Sequence, residues 1–146
     1  MFGYQEGQPD PESPGWTLWH PREDGRFNAT LGPLRLRLDG DKAVIRFVPT
    51  RAHTNRHDQV HGGALMGFVD TAIFAAALHL GCERIERSVT VDCTFQFLGA
   101  AAPGTPVDAI IEVTRETGRM VFLRGLLKQG GVSTSSFTAL IRKASA

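Results

Sequence analysis

Residues 60–81 read VHGGALMGFVDTAIFAAALHLG. Apolar residues run almost unbroken from Ala64 to Leu80. Gly62 and Gly63 stand before them, and Gly81 stands where a left-handed residue commonly closes a helix. The pattern predicts one long helix, about 27 Å from Gly63 to Leu80 at 1.5 Å per residue. A helix that is apolar nearly all round has to be covered by the rest of the chain. Asp70 breaks the run at its middle. A carboxylate in that setting is costly unless it is paired or used.

The segments on either side read as strands. Leu34, Leu36 and Leu38 alternate with Arg35 and Arg37, Asp39-Gly40-Asp41 signals a turn, and Ala43 to Phe47 returns before Pro49. Beyond the helix, Val89, Val91, Cys93, Phe95 and Phe97 alternate with Thr90, Asp92, Thr94 and Gln96. This predicts a strand with Thr90 on the face opposite Val89 and Val91. Val107 to Thr114, Met120 to Leu127 and Val132 to Ile141 follow. Thr117-Gly118 and Gln129-Gly130-Gly131 separate the last three, so these strands should pair antiparallel. The expected order is strand, strand, long helix, four strands: an α+β chain with one antiparallel sheet around one helix. Residues 1–30 read as an arm and 31–146 as the folded domain. The first 15 or so, rich in Pro, Gly and acid, are expected to lack fixed structure, while Trp16, Leu18 and Trp19 could dock on an apolar edge.

The chain of 146 residues is the size of one ordinary domain, and its net charge of +1 does not point to nucleic acid or an anionic membrane. Cys82 and Cys93 form no short-spaced pair, so reduced thiols in a cytoplasmic protein are expected. The first residues have neither the basic start nor the apolar core of a signal peptide. The central helix approaches bilayer length. Asp70 at its midpoint would cost about 2.5–3.5 kcal/mol on insertion, so a membrane span is not expected.

His61, Gly62 and Gly63 open the helix, where the first backbone N–H groups lack intrahelical partners and the dipole is positive. Glycine lets a carbonyl approach closely, which is the physics of an oxyanion hole, although two glycines can also simply start a helix in a crowded place. Asp70 reads either as a catalytic base or nucleophile, or as a structural carboxylate bonded to hydroxyls or at a subunit contact. Gly62 and Asp70 differ by about 12 Å along the axis. If both serve one reaction, they come from two antiparallel helices of a two-fold dimer. Asn55 suits a bond to a carbonyl, a water or Asp70, and equally a turn; Thr90 suits orienting a water or simply a strand. His53, His57 and His61 have metal-ligand spacing only in a continuous helix. The polar loop and the glycine pair argue against one, so no metal or other cofactor is expected.

The stretch Asn55…Val60-His61-Gly62-Gly63…Asp70-Thr71-Ala72 resembles the hotdog-fold acyl-CoA thioesterases of the phenylacetate-degradation (PaaI-like) type. The asparagine lies six residues before the histidine and the aspartate nine after it. SVTVDCTFQFL and TRETGRMVFLRG resemble that family's later strands, so the likeness runs from about Leu34 to Ile141. It implies a curved sheet wrapped around the helix, and hydrolysis of acyl-CoA by a homodimer, often paired into a homotetramer. It also implies that the Gly62 amide polarises the thioester carbonyl, with His61 supporting the helix start. Asn55 positions water or carbonyl, Asp70 of the neighbouring subunit acts as base or nucleophile, and Thr90 holds the attacking water. Gly63 and Met66 fall in the implied substrate-binding region, and Phe68, Val69 and Phe95 are further candidates against the acyl chain. Arg119, Arg124, Arg142 and Lys143 are candidates for the phosphates of coenzyme A. A non-catalytic acyl-CoA or lipid-ligand binding protein on the same fold is the alternative, and it would not need Asp70. A hydratase would ask for a His–Asp or His–Glu pair that this helix does not supply.

Overall fold

The computed structural model describes residues 3–145. In chain order the elements are β1 (Gln8–Pro9), β2 (Thr17–Trp19), α1 (Phe27–Leu31), β3 (Leu34–Asp39), β4 (Lys42–Phe47), α2 (Gly62–His79), β5 (Val89–Phe97), β6 (Val107–Glu116), β7 (Met120–Gln129) and β8 (Val132–Arg142), with one 3-10 turn at Arg51–His53 before α2. The quoted stretch folds as the long helix α2. Gly81 has φ 89°, and the amides of Gly81 and Cys82 bond to the carbonyls of Leu78 and Ala77. This is the closing pattern that a left-handed glycine permits.

All eight strands form one antiparallel sheet in the order β1-β2-β3-β4-β6-β7-β8-β5. The chain leaves β4, runs through α2 across the concave face, and enters β5 at the far edge. Alternate residues of the central strands point at the helix. Ala109, Ile111, Leu123, Ala139 and Ile141 are buried there, against Phe68, Val69, Ala72, Ile73 and Ala76 of α2. Sheet curled around one helix is the hotdog fold, an α+β architecture. By length and apolar content α2 could cross a membrane. Here it is the core helix, with nine of its residues buried.

The sheet does not close around α2. Gly63, Met66 and Asp70 are exposed and Gly62, Gly67 and Phe74 half-buried, so a stripe at helical spacing stays uncovered. Edge strand β5 is likewise exposed over most of its length, including Val89, Val91 and Phe97.

Two expectations need correction. Residues 4–19 are not without structure: β1 and β2 extend the sheet beyond β3, and Tyr4 and Trp19 are buried. Composition pointed to a loose arm, but two aromatic anchors outweigh it. Tyr4 donates its hydroxyl to the carbonyls of Asn28 and Gly32 at 3.1 Å each, and Trp19 meets His79 of α2 edge-on at 5.1 Å. Second, β5 does not keep a two-residue period. The register pairs Thr90 with Ile141 but Asp92 with Leu140, so Val91 is an extra residue. This β-bulge puts Thr90 on the helix-facing side with Cys93, Phe95 and Phe97, not on the opposite face.

The arm is also held by charge. Asp10 is buried, accepts from Arg35 Nε at 2.5 Å and from the Glu12 amide at 3.0 Å, and its carboxyl lies below the ordinary range, chiefly through the Arg35 bond. Arg124 lowers Glu112 and Lys143 lowers Glu116 in the same way. A carboxyl lowered on folding stabilises the fold above its unfolded pKa of about 4 and loses that contribution as pH falls through the folded value. Thermal unfolding from pH 6 to 3 should therefore show stability falling below about pH 4. Asp10→Asn should flatten part of that fall, and superimposable acid profiles for variant and wild type would refute the assignment.

Candidate active site

The site is built where α2 begins. The 3-10 turn and the polar loop lead into it, and His61 is the N-cap, with extended backbone at φ −62° and ψ 135°. Its Nδ1 accepts from the Gly63 amide at 2.8 Å, which leaves Nε2 to carry the proton of the neutral ring. The His61 carbonyl accepts from Ala64 and Leu65. The Gly62 N–H is left over: no described residue accepts from it. The first turn therefore presents one free donor, at Gly62, while the Gly63 amide is taken by His61. Gly62 packs closely as well: a Cβ there would lie 3.0 Å from the ring of the exposed Phe97, which would have to shift by a few tenths of an ångström. At Gly63 a Cβ would lie 2.9 Å from His61 Nδ1, against the capping bond.

Asn55 organises the loop. Its Oδ1 accepts from the amides of His57 at 2.9 Å and Gln59 at 3.3 Å, and its backbone pairs with Gln59. This is the turn role that asparagine often fills. His53 is held by the Thr50 amide on Nδ1 and the Thr30 carbonyl on Nε2, so both ring nitrogens serve the loop.

Asp70 lies two turns along the uncovered stripe, and Thr90 Oγ1 donates to its Oδ1 at 2.6 Å. The bulge makes this bond possible by turning Thr90 inward. Cys93 follows on the same face. Its thiol is pushed up by partial burial and then by the Asp70 and Asp92 carboxylates, so it stays protonated near neutrality. The resemblance implied that Thr90 holds the attacking water; here its hydroxyl bonds the Asp70 carboxylate of its own protomer.

Two clefts border the stripe. One, of about 240 Å³, has Asp70, Asn28 and Thr71 on its polar side and Phe74, Leu78 and Ile85 on its apolar side. The other, of about 560 Å³, runs beside His61, Gly63 and Ala64 under Phe27 and Leu31 of α1. The Phe27 ring lies over Gly67, where a Cβ would come within 2.5 Å of it, and Thr71 Oγ1 donates to Asn28 Oδ1 at 3.0 Å. The sequence reading missed Phe27, Asn28, Phe74 and Leu78. The last two lie four and eight residues after Asp70, a helical spacing that could have placed them on its face.

The remaining candidates divide. Met66 is exposed on the stripe, whereas Phe68 and Val69 are fully buried core, and Phe95 stacks on Phe137 with centroids 5.9 Å apart. Arg119 and Arg142 line a cleft at the start of β5. Arg124 projects from the sheet face away from α2 and pairs with Glu112. Lys143 is buried and pairs with Glu116. Lys143 borders the same cleft as Arg119 and Arg142, with its ammonium held by Glu116, whereas Arg124 lies away from it.

Solved structures share this fold. Thioesterase superfamily member 2 of zebrafish superposes with a TM-score of 0.73 at 21% identity, covering 84% of this chain and 89% of that one. The PaaI protein from the phenylacetic acid degradation operon of E. coli gives a TM-score of 0.66 at 20% identity, over 77% and 80%. A hypothetical thioesterase of Streptococcus pneumoniae, solved with coenzyme A, gives 0.67 at 15% identity, over 76% and 85%. At these identities the likeness establishes the fold. A search of curated proteins found no match. The sequence model of the thioesterase superfamily matches residues 57–135, from the loop before α2 into β8. That span is more than half of the chain and holds the capped glycine pair, Asp70 and the strand that carries Thr90; the chain belongs to the thioesterase superfamily.

Proposed function

We propose that the protein hydrolyses acyl-CoA thioesters, with each reaction centre built from two copies of the chain. The observation that carries this reading is Asp70: a carboxylate on the one uncovered stripe of a core helix, held by the Thr90 hydroxyl at 2.6 Å and bordering a cleft. The free Gly62 N–H supplies the complementary group. It sits at the positive end of a long helix, where a donor aimed at a developing oxyanion is worth about 2.7–4 kcal/mol. The superfamily match and the coenzyme A bound to the S. pneumoniae relative support this substrate class.

In this reading the thioester oxygen lies at the Gly62 amide of one protomer. Asp70 of the other protomer draws a proton from a water that attacks the carbonyl carbon, or attacks that carbon itself. Thr90 fixes the carboxylate, His61 keeps the helix start in shape, and Asn55 holds the loop that frames it. Collapse of the tetrahedral adduct breaks the C–S bond and releases coenzyme A: attack by water gives the acid directly, and attack by Asp70 leaves an acyl-aspartyl anhydride that water then hydrolyses to the acid and the free carboxylate. The uncovered stripe of α2 and the exposed edge of β5 supply the apolar surface for two-fold pairing, with pairing of dimers as a further step. A non-catalytic binding protein on the same fold would keep its function in Asp70→Ala, whereas the hydrolase would lose nearly all of its activity.

Complementation tests the shared site. Asp70→Asn and Gly62→Val, the latter placing a branched side chain against Phe97, should each be nearly inactive in release of the coenzyme A thiol. Unfolded and refolded together, they should recover about a quarter of wild-type activity: half of the dimers are mixed, each with one intact site of two. No recovery from two well-folded variants would refute a site shared between protomers.

A further inference from the structure

Of the three evenly spaced histidines, His61 caps α2, and His57 is exposed, with its Nε2 accepting from Arg56 Nε at 3.3 Å. His53 is the third, and the chemistry above makes no use of its side chain. It is half-buried and borders the cleft of about 560 Å³ beside His61 and Gly63.

The contacts of His53 join three segments. Its Nδ1 accepts from the Thr50 amide at 2.8 Å, and the Thr50 side chain accepts from the His53 amide in return, which closes the 3-10 turn. A neutral imidazole that accepts at Nδ1 carries its proton on Nε2. That nitrogen donates to the Thr30 carbonyl of α1 at 2.5 Å. The His53 carbonyl accepts from the His61 amide at 2.8 Å, next to the bridge between Thr54 and Val60. The ring itself stands edge-on to Phe47, which is fully buried on β4. The Tyr4 hydroxyl fixes α1 in turn, at the Asn28 and Gly32 carbonyls. A chain of bonds therefore runs from the arm through α1 and His53 to the residue before Gly62.

A donor at an oxyanion is worth most when it is aimed before the charge develops. The aim of the Gly62 N–H is set by the peptide plane between His61 and Gly62. From the helix side, the bond of His61 to the Gly63 amide holds that plane. From the loop side, the His61 amide on His53 and the Val60 amide on Ala101 hold it. The His53 anchor is as firm as the turn that carries it. Without its ring, the turn loses both its cap and its tie to α1.

We infer that His53 is a positioning residue: its ring clamps the 3-10 turn to α1, and its carbonyl thereby fixes the peptide that aims the Gly62 donor. The kinetic part of this inference rests on the acyl-CoA reading above; the clamp itself does not.

Three substitutions separate the bonds. Asn carries an acceptor where Nδ1 stands, and Gln a donor where Nε2 stands. His53→Asn thus keeps the Thr50 bond, His53→Gln keeps the Thr30 bond, and His53→Leu keeps neither. In thiol-release assays His53→Leu should lower kcat about a hundredfold with KM within about threefold of wild type, and the other two should lower kcat about tenfold. NMR relaxation of the backbone amides should show the Gly62 order parameter falling from about 0.85 to below about 0.6 in His53→Leu, with the middle of α2 unchanged. Val121→Ala, which truncates a buried residue of β7, should lower Tm and leave both kcat and the Gly62 amide as they are. If His53→Leu does not fold, the Asn and Gln variants decide by the same two readouts. A rigid Gly62 amide, an unchanged kcat, a rise in KM alone, or an equal loss of kcat in Val121→Ala overturns the inference. If wild type hydrolyses no acyl-CoA, the hydrolytic reading fails by itself and the amide measurement decides the clamp: loss of order at Gly62 upholds it, and retained order overturns it.

Discussion

Asp70→Asn is expected to lower kcat for acyl-CoA hydrolysis by a hundredfold or more, about 2.7 kcal/mol of transition-state stabilisation, with little change in KM. The substitution keeps the size of the side chain and its ability to accept from Thr90. What it removes is the charge, and with it the capacity to take a proton from water or to attack. Thr90→Val should act on the same step more mildly, about tenfold in kcat, because the carboxylate survives but loses the hydroxyl that orients it. Asp70 is solvent-exposed in the protomer, so neither change should move the melting temperature by more than a few degrees. Thiol release from a panel of acyl-CoAs reads both effects. A folded Asp70→Asn protein with activity within threefold of wild type would remove Asp70 from the reaction and turn attention to the binding-protein reading.

Phe68→Ala should cost about 3–5 kcal/mol of stability, seen as a fall in Tm of about 10–20 °C. Phe68 is fully buried, and its ring lies 4.7 Å from that of Phe47 on β4. Phe47 in turn meets the His53 ring edge-on at 5.3 Å, in the loop that leads to the N-cap. Truncation opens a cavity at the joint between helix, sheet and loop, and the rigid surroundings refill only part of it. Phe27→Ala is the contrast, since that ring is 57% exposed and its loss should cost about 1 kcal/mol or less. A Phe68 variant as stable as wild type would show that α2 is not packed on β4 by this ring.

The helix was legible because its signals are local. The glycine pair, the unbroken apolar run and Gly81 each act within a turn or two of where they stand, and α2 runs over the stretch they mark. The late strands were legible for the same reason. Two features were not, and both depend on distant partners. The arm looked disordered in composition, yet Tyr4 and Trp19 anchor it through α1 and His79, residues far along the chain. The facing of Thr90 was misread because alternation assumes a strand without insertions, and whether Val91 bulges is set by pairing with β8. The geometric argument that Gly62 and Asp70 of one helix cannot meet survives as a constraint on any mechanism using both. The free Gly62 amide could be inferred from helix physics, but its isolation needed the His61–Gly63 bond to be seen. The basic residues were the least legible, because only the sheet decides which arginines converge and which are spent on a neighbouring carboxylate.

Phe27 and Asn28 belong to a five-residue helix outside the span that the superfamily pattern matches, yet one borders the cleft at the helix start and the other the cleft at Asp70. Gly67 has no side chain to interfere with the Phe27 ring. Under the proposed chemistry, the reacting groups and the walls that judge an acyl group are thus inherited through different parts of the gene. The helix and its partner strand are constrained by the reaction itself. In the leading segment Tyr4 and Trp19 are fixed in the core, whereas the Phe27 ring is 57% exposed and can be exchanged without disturbing a catalytic atom. Under that proposed chemistry, a substitution at Phe27 or Asn28 reshapes the walls of the two clefts while the central helix stays as it is.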